Sequence, residues 1–110
     1  MPEAIDARAV QAAAAAVADR DRLRSVAERF ALLAEPGRLA LLAAMHAAGP
    51  IPVSDLAGAC GISPTAVSQT LRILRASGVV SAERDGRVVR YRLRDPGIAR
   101  LLDETLPRRA

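Results

Sequence analysis

The stretch SDLAGACGISPTAVSQTLRILRAS, from Ser54 to Ser77, decides how this chain is read. Ser54 is a hydroxyl N-cap candidate for a short helix through Asp55, Leu56 and Ala59 that stops at Gly61. Two residues later Ser63-Pro64 starts again: a hydroxyl cap, then proline at the first helical position, where its missing N–H costs nothing. This second helix is predicted to run to about Ser77, with Gly78 as its stop. Val67, Leu71 and Leu74 recur at i, i+4 and i+7 and belong on a core-facing side. Thr65, Ser68, Gln69 and Arg72 recur at i, i+3, i+4 and i+7 on another side. Two short helices joined by a tight glycine turn make a helix-turn-helix, whose second helix can enter a major groove. Hydroxyls, an amide and a guanidinium are the groups that read base edges or grip phosphates: Gln69 suits adenine, and Arg72 suits guanine or a phosphate. Arg75, one turn further on, is placed to meet the DNA backbone.

Downstream, Val79–Arg84 and Arg87–Leu93 are strand-like, with Asp85-Gly86 as a two-residue hairpin turn. Pairing across that turn matches Ala82 with Val89 and Val80 with Tyr91, putting the apolar residues on one face and Arg90 on the other. Charge follows the same segment. Residues 62–94 carry seven Arg against two acids, while residues 1–61 stand at −1 and residues 95–110 at zero. All the net positive charge therefore lies on the second helix and the hairpin. The tip Arg84-Asp85-Gly86-Arg87 is expected to form a basic wing over a minor groove or phosphates.

Upstream, no Gly or Pro interrupts the chain between Ala4 and Glu35, and helix formers dominate. Val10, Val17, Leu23, Val26, Phe30 and Leu33 mark one long helix or two short ones, with Asp19-Arg20-Asp21-Arg22 as the joint. Glu35-Pro36-Gly37 breaks it and opens a helix whose expected face is Leu39, Leu42 and Met45, closed by Gly49-Pro50. Ile51-Pro52-Val53 reads as extended. Asp95-Pro96 caps a last helix carrying Ile98, Leu101, Leu102 and Leu106. The order is α(α)α–β–α–α–β–β–α: mainly α with a small β-hairpin, a winged helix-turn-helix.

Composition narrows the function. Of 110 residues 24 are Ala, and only Phe30 and Tyr91 are aromatic, so a single copy has a thin core and pairing is expected. The bases are sixteen Arg and no Lys, a bias that a GC-rich genome writes and that also suits phosphate and guanine. One cysteine makes no internal disulfide, and a reducing cytoplasm is expected. No signal peptide or membrane span is legible; the Ala12–Ala16 run is too short. One His, one Cys and no phosphate-cradling Gly loop leave no nucleophile–base pair, so no enzyme is expected.

On LLAEPGRLALL (32–42), VSDLAGACGISPTAVSQTLRILRASGVV (53–80) and RDGRVVRYRL (84–93), the chain resembles the ArsR/SmtB family of small dimeric bacterial regulators. Through PIPVSDLAGACGIS, AVSQTLRILR and IARLLDETL it is most similar to the nickel/cobalt-sensing branch. The resemblance implies an N-terminal Ala-rich helical extension (1–24), a winged helix-turn-helix DNA-binding domain (25–106) and a tail (107–110). It implies DNA contacts by Ser63, Thr65, Ser68, Gln69, Arg72, Arg84 and Arg87. It also implies a homodimer seam from the helices near 5–34 and 96–106, with Val10, Val17, Ile98, Leu101, Leu102 and Leu106 as its apolar residues. Such a two-fold pair sets its recognition helices roughly 34–36 Å apart on an inverted-repeat operator in double-stranded DNA.

The chain departs from the family where metals are sensed. Val53, Ser54, Asp55 and Leu56 stand where cysteines sit in relatives. Of the last-helix pattern only Asp95 is present, with Gly97 and Arg108 at the two His positions. One carboxylate is not a transition-metal site, so no metal ligand set and no cofactor are expected, and Asp95 reads as an N-cap. His46 is expected as a surface or helix-terminal residue and Cys60 as core. The alternative is a weak or unorthodox nickel site using His46 and carboxylates across a dimer. The deficit suggests that sensing is delegated to a separate effector-sensing protein, or that no effector binds. Beside the regulator stand a non-specific DNA-packaging protein and a winged-helix protein-interaction module.

Overall fold

The computed structural model describes residues 3–106. The chain divides into two compact units after Leu33. A boundary after residue 24 is not seen, because one helix runs unbroken across it. The expected tail at 107–110 lies outside the described residues.

The first unit holds α1 (Ala7–Ala16) and α2 (Arg20–Leu33). Each starts on an aspartate: Asp6 Oδ1 accepts from the Ala9 N–H at 3.0 Å, and Asp19 Oδ1 from the Arg22 N–H at 3.0 Å. A carboxylate there satisfies an otherwise unpaired N–H and favours the positive helix end. That is why the predicted joint is a true break. Neither helix buries a residue. A shallow cleft of about 370 Å³ at the elbow is lined by Ala15, Ala16, Asp19, Arg22, Leu23 and Val26.

The second unit contains α3 (Pro36–Ala48), β1 (Ile51–Pro52), α4 (Val53–Cys60), α5 (Pro64–Ala76), β2 (Val80–Asp85), β3 (Val88–Leu93) and α6 (Pro96–Thr105). Three of its helices open alike, with an oxygen acceptor followed by proline at the first helical position. They are α3 on Glu35-Pro36, α5 on Ser63-Pro64 and α6 on Asp95-Pro96. Asp95 Oδ1 accepts from the N–H groups of Gly97 and Ile98 at 2.9 and 3.1 Å, the cap its sequence context suggested. The short helix behaves otherwise. Pro52 occupies the N-cap of α4 without a side-chain bond, so Ser54 lies inside the first turn rather than capping it.

The core is assembled from the four helices of this unit and the root of its hairpin. Leu41, Leu42 and Met45 come from α3, Leu56 and Ala57 from α4, Val67, Leu71 and Leu74 from α5. Val79 and Val80 at the root of the hairpin, with Ile98 and Leu102 of α6, complete it. Each such large side chain contributes about 1.5–3 kcal/mol by leaving water. On α3 the buried face includes Leu41, whereas Leu39, expected there, is only half-buried. Cys60 is also half-buried, its Sγ 3.9 Å from the Ala40 carbonyl, rather than sealed in the core.

The sheet is antiparallel in the order β1–β3–β2. Its hairpin register differs from the expected one: Ala82 faces Tyr91, Val80 faces Leu93, and Asp85 pairs with Val88. The two turn residues are therefore Gly86 and Arg87, not Asp85 and Gly86. Gly86 has φ +64°, and among the described residues no non-glycine has positive φ. Glycine first and an ordinary residue second is the type II′ pattern, whereas an Asp-Gly turn of type I′ needs positive φ at both. The side-chain faces survive the change, since Val80, Ala82, Val89 and Tyr91 still share one side.

Candidate nucleic-acid interface

Gly61 ends α4 in the left-handed region at φ +65° and turns the chain toward α5. The Ser63 hydroxyl oxygen accepts from the Ala66 N–H at 3.2 Å and fixes where α5 begins. Ser63, named as a DNA contact, thus spends its acceptor on the helix; its O–H proton stays available to a phosphate. From that start the helix is strictly sided. Val67, Leu71 and Leu74 are buried, while Thr65, Ser68, Gln69, Arg72 and Arg75 are all exposed. Base-reading and phosphate-gripping groups therefore share one solvent side of a helix whose opposite side is anchored in the core.

The wing adds two more of the expected contacts. Arg87 stands in the two-residue turn itself, and Arg84, opposite Val89, is on the second rung below it. Both are exposed, and neither has an ion-pair or hydrogen-bond partner among the described residues. Arg92 differs: its Nε lies 3.3 Å from Glu83 Oε1 and 3.4 Å from Ser81 Oγ, so this cation is partly neutralised within the hairpin. Arg90, half-buried between Glu83 and Pro52 in register, belongs to the body of the sheet. Basic charge in the segment is consequently not uniform; it is free on α5 and at the wing tip.

The residues proposed for a dimer seam divide. Val10 and Val17 in the first unit are exposed, as is Leu106, and Leu101 is half-buried. Ile98 and Leu102, at 2% and 3% exposure, are enclosed in the chain's own core, so a partner surface cannot use them. An amphipathic helix shows the same apolar spacing whichever neighbour covers it. Leu23, Val26 and Phe30 of α2 present open apolar surface, Phe30 being 57% exposed. Their helical spacing was visible in the sequence.

Among the described residues no group of three or more His, Cys, Asp or Glu side chains could hold an ion. Asp95 is engaged as a cap, and Gly97 offers no side-chain donor; Arg108 lies outside the described residues. His46 is not a simple surface residue: its Nε2 lies 2.7 Å from Asp103 Oδ1 on α6. The carboxylate of Glu35 is held below its usual 4.5 by the Gly37 and then the Arg38 backbone N–H. No described helix is long and apolar enough to cross a membrane.

Known proteins match this arrangement. A family model described as a helix-turn-helix domain covers residues 33–81. The chain is 43% identical over 88 residues to the HTH-type transcriptional regulator NmtR of Mycobacterium tuberculosis H37Rv, covering 80% of this chain and 72% of that one. Across several such curated relatives it spans 61% to 72% of their length. The antimony-specific transcriptional repressor AntR superposes with TM-score 0.68 at 40% identity, over 74% of this chain and 73% of its own. The homodimeric winged helix-turn-helix DNA-binding domain Mb0332 of Mycobacterium bovis gives 0.68 at 33% identity, over 78% and 81%.

Proposed function

The chain belongs to the ArsR/SmtB family of winged helix-turn-helix DNA-binding transcriptional regulators, and from that premise we propose that it works as a homodimer on an inverted-repeat operator. One observation carries the reading: Thr65, Ser68, Gln69 and Arg72 stand exposed on α5 while Val67, Leu71 and Leu74 lock that helix into the core. A rigidly seated helix presents its side chains to base edges at little further ordering cost. In this reading α5 occupies a major groove, and Arg84 and Arg87 meet the flanking minor groove or its phosphates.

The first unit offers Val10, Val17, Leu23, Val26 and Phe30 for pairing, and the second unit, taken by itself, offers Leu101 and Leu106. Homodimeric Mb0332 supports such a pairing. The metal link is weaker. Without a fitting ligand set, sensing passes to a separate effector-sensing protein, or the domain acts with no effector of its own. Titration of nickel, cobalt and zinc into metal-free protein tests this; stoichiometric tight binding of any of them overturns it.

The DNA experiment is footprinting and anisotropy on the region upstream of the chain's own gene, across a salt series. Specific binding should persist at salt that abolishes binding to scrambled duplex, and should weaken when one half-site is mutated. Equal affinity for both duplexes at every salt instead assigns the arginines to non-specific packaging.

A further inference from the structure

Between α5 and the hairpin lies an open cleft of about 540 Å³ lined by Ser68, Leu71, Arg72, Arg75, Ala76 and Tyr91. Its floor is apolar, Leu71 being sealed in the core. Its polar lining consists of two guanidiniums, a phenol and a hydroxyl, with no carboxylate. Neither arginine, nor the phenol, has a hydrogen-bond or ion-pair partner among the described residues. The neighbouring cation Arg92 is the contrast, since it is engaged with Glu83 and Ser81. Unpartnered guanidinium and hydroxyl donors on a concave surface with no carboxylate suit an anion.

Tyr91 gives the cleft its direction. It lies in the central strand, flanked in register by Ile51 of β1 and Ala82 of β2, so its backbone is fixed from both sides. A phenylalanine fills apolar space equally well; the hydroxyl is the added chemistry, and no protein group uses it. Arg72 and Arg75 are three apart on α5 and project onto neighbouring positions of that helix. The cleft is thus walled by the recognition helix on one side and the wing's central strand on the other.

We propose that this cleft seats one phosphodiester of the DNA backbone, with Arg75 and the Tyr91 hydroxyl donating to it and Arg72 at its edge. The inference rests on the DNA-binding reading and deepens it. A phosphate held between α5 and β3 fixes the register of the reading helix on the duplex without itself reading sequence. Tyr91 becomes a positioning contact outside the helix-turn-helix and the wing tip.

The test uses the whole protein with a duplex selected from a randomised library and a scrambled duplex. Tyr91→Phe keeps the ring, and thermal melting checks that the fold is unchanged. It should weaken binding to both duplexes by the same factor, on the order of fivefold, as loss of one hydrogen bond predicts. The salt slope should not move, because the phenol is neutral. Arg75→Gln should weaken both duplexes and flatten the log–log salt slope by about one unit per subunit, or about two for the bound dimer.

If both variants bind like the parent while Arg87→Ala and Arg84→Ala, outside the cleft, lose affinity, the seat is wrong and the DNA surface stands. If all four bind like the parent, the surface itself is misassigned and the seat falls with it. The other source of the same chemistry is free phosphate. Tyr91 is the sole tyrosine in a chain without tryptophan, so its fluorescence reports on this cleft alone. Inorganic phosphate should give no saturable change at micromolar concentration; a saturating change that Arg75→Gln removes reassigns the cleft to a free oxyanion and overturns the DNA assignment.

Discussion

His46 Nε2 and Asp103 Oδ1 lie 2.7 Å apart and tie the end of α3 to α6 across 57 residues of sequence. The two side chains are 27% and 63% exposed, so water screens the pair and its worth is modest. A double-mutant cycle with His46→Gln and Asp103→Asn should give a coupling of about 0.2–1 kcal/mol by urea unfolding. A value several times larger means that the pair anchors α6, and a value of zero means that the contact is incidental to stability.

Leu74 is completely buried at the point where α5 meets the core. Leu74→Ala should cost about 2–5 kcal/mol, a large part of the roughly 5–15 kcal/mol that holds a domain folded. The expected result is a partly unfolded or strongly destabilised protein in denaturant melts. A loss under 1 kcal/mol contradicts close packing there.

Glu35 contributes a pH dependence on the acid side. The Gly37 N–H at 2.9 Å and the Arg38 N–H at 2.7 Å hold its carboxylate below the usual 4.5. The unfolded chain therefore takes up the proton first as acid is added. The stabilisation is complete above about 4.5 and is lost as pH falls through the lower folded value. Glu35→Gln should lower stability at neutral pH and flatten its decline in acid; an unchanged acid profile by urea titration refutes the assignment.

Arg72 and Arg87 should fail differently. Arg72→Ala is expected to cost about 1–3 kcal/mol and to relax sequence choice if the guanidinium reads a base. Arg87→Ala should weaken all duplexes alike and reduce the salt slope by about one per subunit, or about two for the bound dimer. Paired anisotropy curves on selected and scrambled DNA separate the two behaviours.

Phe30→Glu places a charge on the exposed face of α2 without disturbing the described core. Light scattering should find a monomer, with weak half-site binding remaining. A dimer that survives moves the seam away from α2. Leu102→Glu is not a substitute, because that residue is buried and its replacement unfolds the second unit.

Local chemistry made much of this fold legible. Ser63-Pro64 and Asp95-Pro96 announce helix starts because cap and proline act within four residues, and the sidedness of α5 follows from its own spacing. Three things depended on distant neighbours. Asp85-Gly86 is a strong hairpin signal, yet Gly86 serves as the first turn residue, and only the pairing of β2 with β3 shows it. Ile98 and Leu102 have the spacing of a seam, but the core claims them. The cleft joins residues 68–76 to Tyr91, a meeting that no motif encodes.

The hairpin register sets a rule for altering the wing. One residue added to a single arm either bulges out or slides β2 against β3, rotating one strand's apolar side away from α5. Two residues added to each arm above Ala82 and Tyr91 keep the pair type at the turn and the side-chain faces, leave the base intact and carry the tip about 6.8 Å outward. Reach along the duplex is therefore an engineerable dimension that can be lengthened in balanced steps while the reading helix keeps its seat.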